Sequence, residues 1–157
     1  MLDTQTLSTK GFGSRLRRLL ERLDRDVQAL YRDAGVSFEP RWYAVFTSLR
    51  EDGAATVGEL AQRLGVTHAA VSQVRSALQG EGLIETRADP RDGRRHVLTM
   101  TPKGAAMALQ LQPLWDAINE ATARVLAADA PGLLRDLDSL SRALDRKSIQ
   151  ARAHDLL

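Results

Sequence analysis

The sequence predicts a mainly α-helical fold with one small antiparallel β-ribbon. Two short helices joined by a tight turn lead directly into a hairpin, and long helices flank this region on both sides. Three observations carry that reading. Between Thr56 and Gly104, two helical patterns separated by Gly65 precede two strand-length runs around a turn-rich centre. Arginines concentrate at that centre. The flanking segments carry leucines at helical spacing that the small middle region cannot cover alone.

Met1 to Gly11 is polar and expected to be flexible. Phe12 to Ala34 reads as a long helix, with Phe12, Leu16, Leu19, Leu20, Leu23, Val27, Leu30, Tyr31 and Ala34 close to a heptad pattern. Arg15, Arg17, Arg18, Arg22 and Arg25 line its other faces among Glu21, Asp24 and Asp26. The plain reading is a solvated face. The sharper one gives one or two of these arginines a ligand carboxylate or a partner subunit. Gly35 stops the helix, and Pro40 suits the first turn of the next. Trp42, Val45, Phe46 and Leu49 follow at i, i+3, i+4 and i+7. They predict core packing, with a ligand pocket as the alternative. Glu51-Asp52-Gly53 is expected to be a loop, and Ala54-Ala55 a short strand added to the ribbon.

Thr56 and Glu59 form a T-x-x-E capping box, so a helix should start at Val57. Leu60, Ala61 and Leu64 make its apolar face. Gly65 can take the left-handed conformation that ends it, and Val66 should pack into the angle between the helices. Thr67 caps the second helix, which runs to Leu78–Glu81. Ala70, Val71, Val74, Ala77 and Leu78 form its buried side. Thr67, His68, Ala69, Ser72, Gln73, Arg75 and Ser76 are left to face outward. These side chains are small or hydrogen-bonding, and no Lys or Glu falls among them before Glu81. Such a face suits close approach to bases and phosphates.

Gly82 ends that helix and Leu83-Ile84 re-enters the core. Ile84 to Ala88 and Arg95 to Thr99 predict strands around Asp89-Pro90-Arg91-Asp92-Gly93. Four arginines (Arg87, Arg91, Arg94, Arg95) and two aspartates (Asp89, Asp92) make the ribbon cationic. Each phosphate it neutralised would steepen the salt dependence of binding by a slope of about −0.9. The aspartates would be repelled by phosphate. They are expected to fix arginine geometry by bidentate pairing. Thr101-Pro102 opens another helix to Ala127, with Pro113 expected to kink it. Asp129-Ala130-Pro131-Gly132 is a break, and Leu133 to Ile149 marks a final helix. The apolar faces of the terminal helices predict intertwining with a second copy of the chain.

The run D-P-R-D-G-R from Asp89 to Arg94, followed by Leu98 and by T-P-K-G at Thr101 to Gly104, resembles the wing signature of the MarR (multiple antibiotic resistance regulator) family. The preceding LAQRLGVTHAAVSQVRSALQGEGLIE is similar to that family's helix-turn-helix. The resemblance implies a winged helix-turn-helix at residues 37–101, with residues 12–36 and 102–157 forming a helical dimerisation region. It implies a homodimeric transcriptional repressor on pseudo-palindromic double-stranded DNA, released by a small aromatic or anionic ligand. It places the second helix in the major groove and a wing-tip arginine in the minor groove. That arginine is Arg94 here, supported by Asp92 and Arg91, and Gly93 stands where many members have a second arginine. The DNA-contact candidates are Thr67, His68, Ala69, Ser72, Gln73, Arg75, Arg87, Arg91, Gly93, Arg94 and Arg95, with Asp89 and Asp92 in support. Ligand candidates are Arg15, Trp42, Phe46, Met107, Leu111 and Trp115. A winged-helix protein–protein module without ligand response is the alternative.

A length of 157 residues suits one domain. The net charge of +2 says little, because cations matter where they cluster. The absence of cysteine excludes disulfides, thiolate metal sites and thiol-based sensing. His68, His96 and His154 fall on different expected elements, so neither a metal site nor any cofactor is expected. No phosphate-cradling or nucleophile motif is present, which argues against an enzyme. No apolar run is long enough to span a membrane and no signal-peptide core is visible, so a cytoplasmic protein is expected.

Overall fold

The computed structural model describes residues 11–89 and 92–157. The expected flexible terminus up to residue 10, and the ribbon residues Pro90 and Arg91, lie outside the described residues. Helix α1 spans Phe12–Asp33. A single 3-10 turn at Pro40–Trp42 leads into α2, Tyr43–Asp52. Then come α3 (Val57–Leu64), α4 (His68–Gly80), β1 (Ile84–Asp89), β2 (Asp92–Met100), α5 (Pro102–Asp129), α6 (Leu133–Arg146) and α7 (Ile149–His154). Two compact units divide the chain, Met1–Gln112 and Pro113–Leu157.

The first unit is built around Phe38. Its ring meets Tyr31, Trp42 and Phe46 edge-on at centroid separations of 5.3, 5.4 and 5.3 Å. Edge-to-face pairs of this kind add about 0.5–1.5 kcal/mol each beyond the area they bury. The Gln28 amide donates to the Phe38 carbonyl at 3.1 Å, fastening α1 to the segment before α2. Leu49, Leu60, Val71, Leu78, Leu83, Ile84, Val97 and Leu98 extend the core beneath the helix-turn-helix and the ribbon. Only the C-terminal end of α1 joins this core. Phe12, Leu16, Leu19, Leu20 and Leu23 are exposed.

Strands β1 and β2 pair antiparallel from Ile84↔Met100 to Ala88↔His96, with an irregularity before Asp89↔Asp92. Ala55 adds the expected third strand as one bridge to Leu98, its amide and carbonyl both bonded there (3.2 and 2.8 Å). The T-P-K-G run has a structural reason. Thr101 Oγ1 lies 2.7 Å from the Gly82 carbonyl and accepts from the Gly104 amide, and Lys103 Nζ donates to the Glu81 carbonyl. The run therefore seals the turn between α4 and β1, where Gly82 adopts φ +69°.

In the second unit, the remainder of α5 is followed by α6 and α7. Leu134, Leu137, Leu140 and Leu144 of α6 are exposed, as is Ile149 of α7.

Four local expectations change. Glu51 and Asp52 belong to α2 instead of a loop, because the Asp52 carboxylate accepts from Ser48 Oγ and Arg63 Nη1. Val66 is 46% exposed instead of wedged between helices. Its amide closes the end of α3 on the Ala61 carbonyl. Ala70 is exposed, since it lies in the first turn of α4, ahead of the buried residues Val71 and Leu78. The final helix is two: Lys147 is extended, and Ser148 caps α7 by accepting from the Ala151 amide.

Candidate nucleic-acid interface

Helix α3 begins as the sequence requires. Thr56 Oγ1 accepts from the Glu59 amide at 3.1 Å, and Glu59 Oε2 accepts from the Thr56 amide at 2.8 Å. Gly65, at φ +65°, turns the chain toward α4, a conformation that a β-carbon would strain. Thr67 Oγ1 accepts from the Ala70 amide at 3.1 Å and caps α4. On α4, Thr67, His68, Ala69 and Gln73 are exposed, and Ser72 is half-buried. The His68 ring lies against Gly58 of α3, where an added β-carbon would come within 3.2 Å of it. Arg75, expected to face outward, is half-buried, and its Nε is enclosed without an acceptor among the described residues. The Ser76 hydroxyl donates to the Ser72 carbonyl at 3.0 Å. Gln79 Nε2 reaches Thr86 Oγ1 of β1 at 2.9 Å, tying α4 to the ribbon.

The arginines of the ribbon do different things. Arg87 pairs with Glu85 on its own strand. Arg95 Nη2 donates to Glu59 Oε1 of α3 at 2.5 Å, and its Nη1 lies 3.8 Å from Asp89 Oδ2. Arg94 is exposed, and no described carboxylate pairs with it or with Arg75. Asp92 meets the tip through the backbone instead of the expected bidentate pairing with an arginine: its Oδ1 accepts from the Arg94 amide at 3.0 Å. A short carboxylate two residues from an amide closes a turn more readily than it reaches a guanidinium. Gly93 is exposed, and a β-carbon there would meet nothing. Arg91 lies outside the described residues.

Glu59 is the residue that sequence reasoning assigned only to a helix cap. Its carboxyl is held below the usual range, first by Thr56 through its amide and hydroxyl, then by Arg95. A depressed folded-state pKa stabilises at higher pH, and that contribution is lost as the pH falls through the folded value. Of the ligand candidates, Trp42, Phe46, Leu111 and Trp115 are buried, Met107 is half-buried and Arg15 is exposed. Trp42 Nε1 is buried and has no acceptor among the described residues. No group of three His, Asp or Glu side chains among the described residues could hold a metal. No described helix is long and apolar enough to cross a membrane.

A capped helix, a glycine turn, a second capped helix and a ribbon braced by Ala55 define a winged helix-turn-helix. Residues 35–95 match the profile of the MarR family. Among solved structures, Bordetella bronchiseptica BpsR, described for regulation of its DNA binding by 6-hydroxynicotinic acid, is 24% identical. It aligns over 85% of this chain and 91% of its own with a TM-score of 0.65. CouR, a transcriptional repressor bound to a 23-mer DNA duplex, is 24% identical over 82% and 91% of the two chains, with a TM-score of 0.66. A MarR family regulator from Neisseria meningitidis is 24% identical over 87% and 93%, with a TM-score of 0.59. No curated protein matches the chain significantly in sequence. Residues 35–95 thus carry the MarR-family match, and the chain shares the winged-helix fold of these structures.

Proposed function

We propose that this chain is a homodimeric transcriptional repressor that binds pseudo-palindromic duplex DNA in the cytoplasm. Residues 37–101 read the DNA, and residues 12–36 and 102–157 join two copies. The observation that carries the reading is the division of labour among the arginines. Arg87 and Arg95 are engaged by carboxylates, whereas Arg94 at the tip and Arg75 on α4 have no such partner among the described residues. Cations without internal partners beside an exposed helix face suit a polyanionic ligand. In a twofold pair, two α4 helices about one DNA turn apart (~34 Å) would enter successive major grooves. The leucines left exposed on α1 and on α6 support the second copy.

Arg94→Ala is the direct test. It should weaken binding across sequences and lower the salt slope by about 0.9, read from titrations at several salt concentrations. An unchanged slope and affinity would remove the wing from the interface. Gln73→Ala should behave differently. A side-chain amide can make a bidentate contact with adenine worth about 1–3 kcal/mol of discrimination, so its loss should relax preference at one base pair in a binding-site selection. A uniform loss across all sequences would rule Gln73 out as a base reader.

Release by a small aromatic or anionic ligand belongs to the same proposal. BpsR, with its regulation by 6-hydroxynicotinic acid, sets the precedent. The buried Trp42 Nε1–H without an acceptor is a donor that such a ligand's carboxylate would satisfy. Any such ligand must bind the DNA-competent and released states with different affinity.

A further inference from the structure

We propose that Glu59 is the positioning residue of the wing, and that Arg95 sets the attitude of the ribbon instead of contacting phosphate. This deepens the DNA-binding reading and rests on it. The ribbon has few attachments to the helices. Among the described residues its backbone bridge joins Ala55 to Leu98, and Gln79 bonds Thr86, the residue paired with Leu98; attachments at one level of the ribbon leave a pivot. Arg95 lies three residues further toward the tip, about 10 Å along an extended strand. It is held there by Glu59, 36 positions away in sequence. Two attachments separated along one strand fix a direction that neither fixes alone.

The same carboxylate also closes the α3 capping box. Oε2 takes the Thr56 amide while Oε1 takes Arg95. The start of the helix-turn-helix and the angle of the wing are thus set by one side chain. Arg95 therefore anchors the ribbon, while Arg94, next to it, is exposed and has no carboxylate partner among the described residues. Arg95 and Glu59 side chains are both 45% exposed. Exposed pairs contribute little to stability, so the consequence of this one is geometric.

Glu59→Gln separates the two roles. The glutamine oxygen can keep the Thr56 amide, as capping boxes accept Gln, while its NH2 then faces the Arg95 guanidinium. The variant also removes a negative charge, which by simple electrostatics would tighten binding to DNA. A loss of affinity would therefore report geometry. The probe is a duplex that the wild-type protein selects from a randomised pool. Glu59→Gln and Arg95→Gln should each weaken binding roughly threefold to thirtyfold, with no change in salt slope. The double variant should be no worse than the singles. In the free protein, Glu59→Gln should speed hydrogen exchange in β2 between Asp92 and Val97 and leave α3 protected.

A salt slope lowered by about one in Arg95→Gln, with losses that multiply in the double variant, would make Arg95 a phosphate contact and overturn the proposal. So would unchanged exchange of the β2 amides. If the wild-type protein selects no duplex, the DNA-binding reading fails instead, and the exchange measurement still decides whether the clamp exists.

Discussion

Gly104→Ala is expected to destabilise the protein by roughly 3 kcal/mol or more, through a substitution that helix propensity alone would favour. A β-carbon at Gly104 would lie 2.1 Å from the Leu83 carbonyl oxygen and 2.9 Å from Met100 Cγ. The methionine could move, but the carbonyl cannot easily do so. It accepts from the Thr101 amide at 3.0 Å, and Leu83 itself is buried. Relief would have to come from shifting the start of α5 away from the turn that links α4 to the ribbon. For a chain of this size, 3 kcal/mol corresponds to roughly 6–12 °C in unfolding midpoint. Gly80→Ala is the control, because Gly80 is helical and a β-carbon there meets nothing within 4 Å. It should leave stability unchanged or slightly raised. Equal losses at the two positions in chemical denaturation would refute the close-approach argument.

The second large effect is expected at the exposed leucines. Leu20 on α1 and Leu137 on α6 are 58% and 40% exposed, so replacing either with Glu should cost the folding of a lone chain little. In a twofold dimer each replacement occurs twice. Burying a leucine is worth roughly 1.5–3 kcal/mol, so one substitution should remove about 3–6 kcal/mol from the association, before the cost of burying the carboxylates. Sedimentation should show dimers for the wild-type protein and monomers for Leu20→Glu or Leu137→Glu, with helical content retained. Operator affinity should fall in parallel. Wild-type monomers at micromolar concentration, or dimers that ignore both substitutions, would dismantle the proposed assembly.

Local grammar was the legible part of this sequence. Thr56, Glu59 and Thr67 cap the helices they were expected to cap, and Gly65 and Gly82 turn the chain where they were expected to. The strands are longer than expected but correctly placed, and the exposed faces of α1 and α6 follow the leucine spacing. What escaped notice depends on the approach of residues distant in sequence. Glu59 and Arg95 each had a local explanation, as a cap and as a phosphate contact, and nothing in either neighbourhood points to the other. The extension of α2 to Asp52 depends on Arg63, eleven residues on. Arg75 was placed outward by helical periodicity, which gives the direction of a Cα–Cβ bond but not the path of a long side chain folded along the surface. The tip aspartates were read for charge, whereas Asp92 acts through the geometry of a turn.

The two-stranded ribbon has a further consequence for the protein away from DNA. Among the described residues the sheet is β1 and β2, bridged by Ala55 at one residue; it has edges with hydrogen-bonding backbone, and an exposed strand edge is a template for a strand from another molecule. Dense charge along such an edge discourages that pairing. Charge at Arg87, Arg94 and Arg95 would by this argument discourage one hairpin from zipping onto the next in a crowded solution of identical chains.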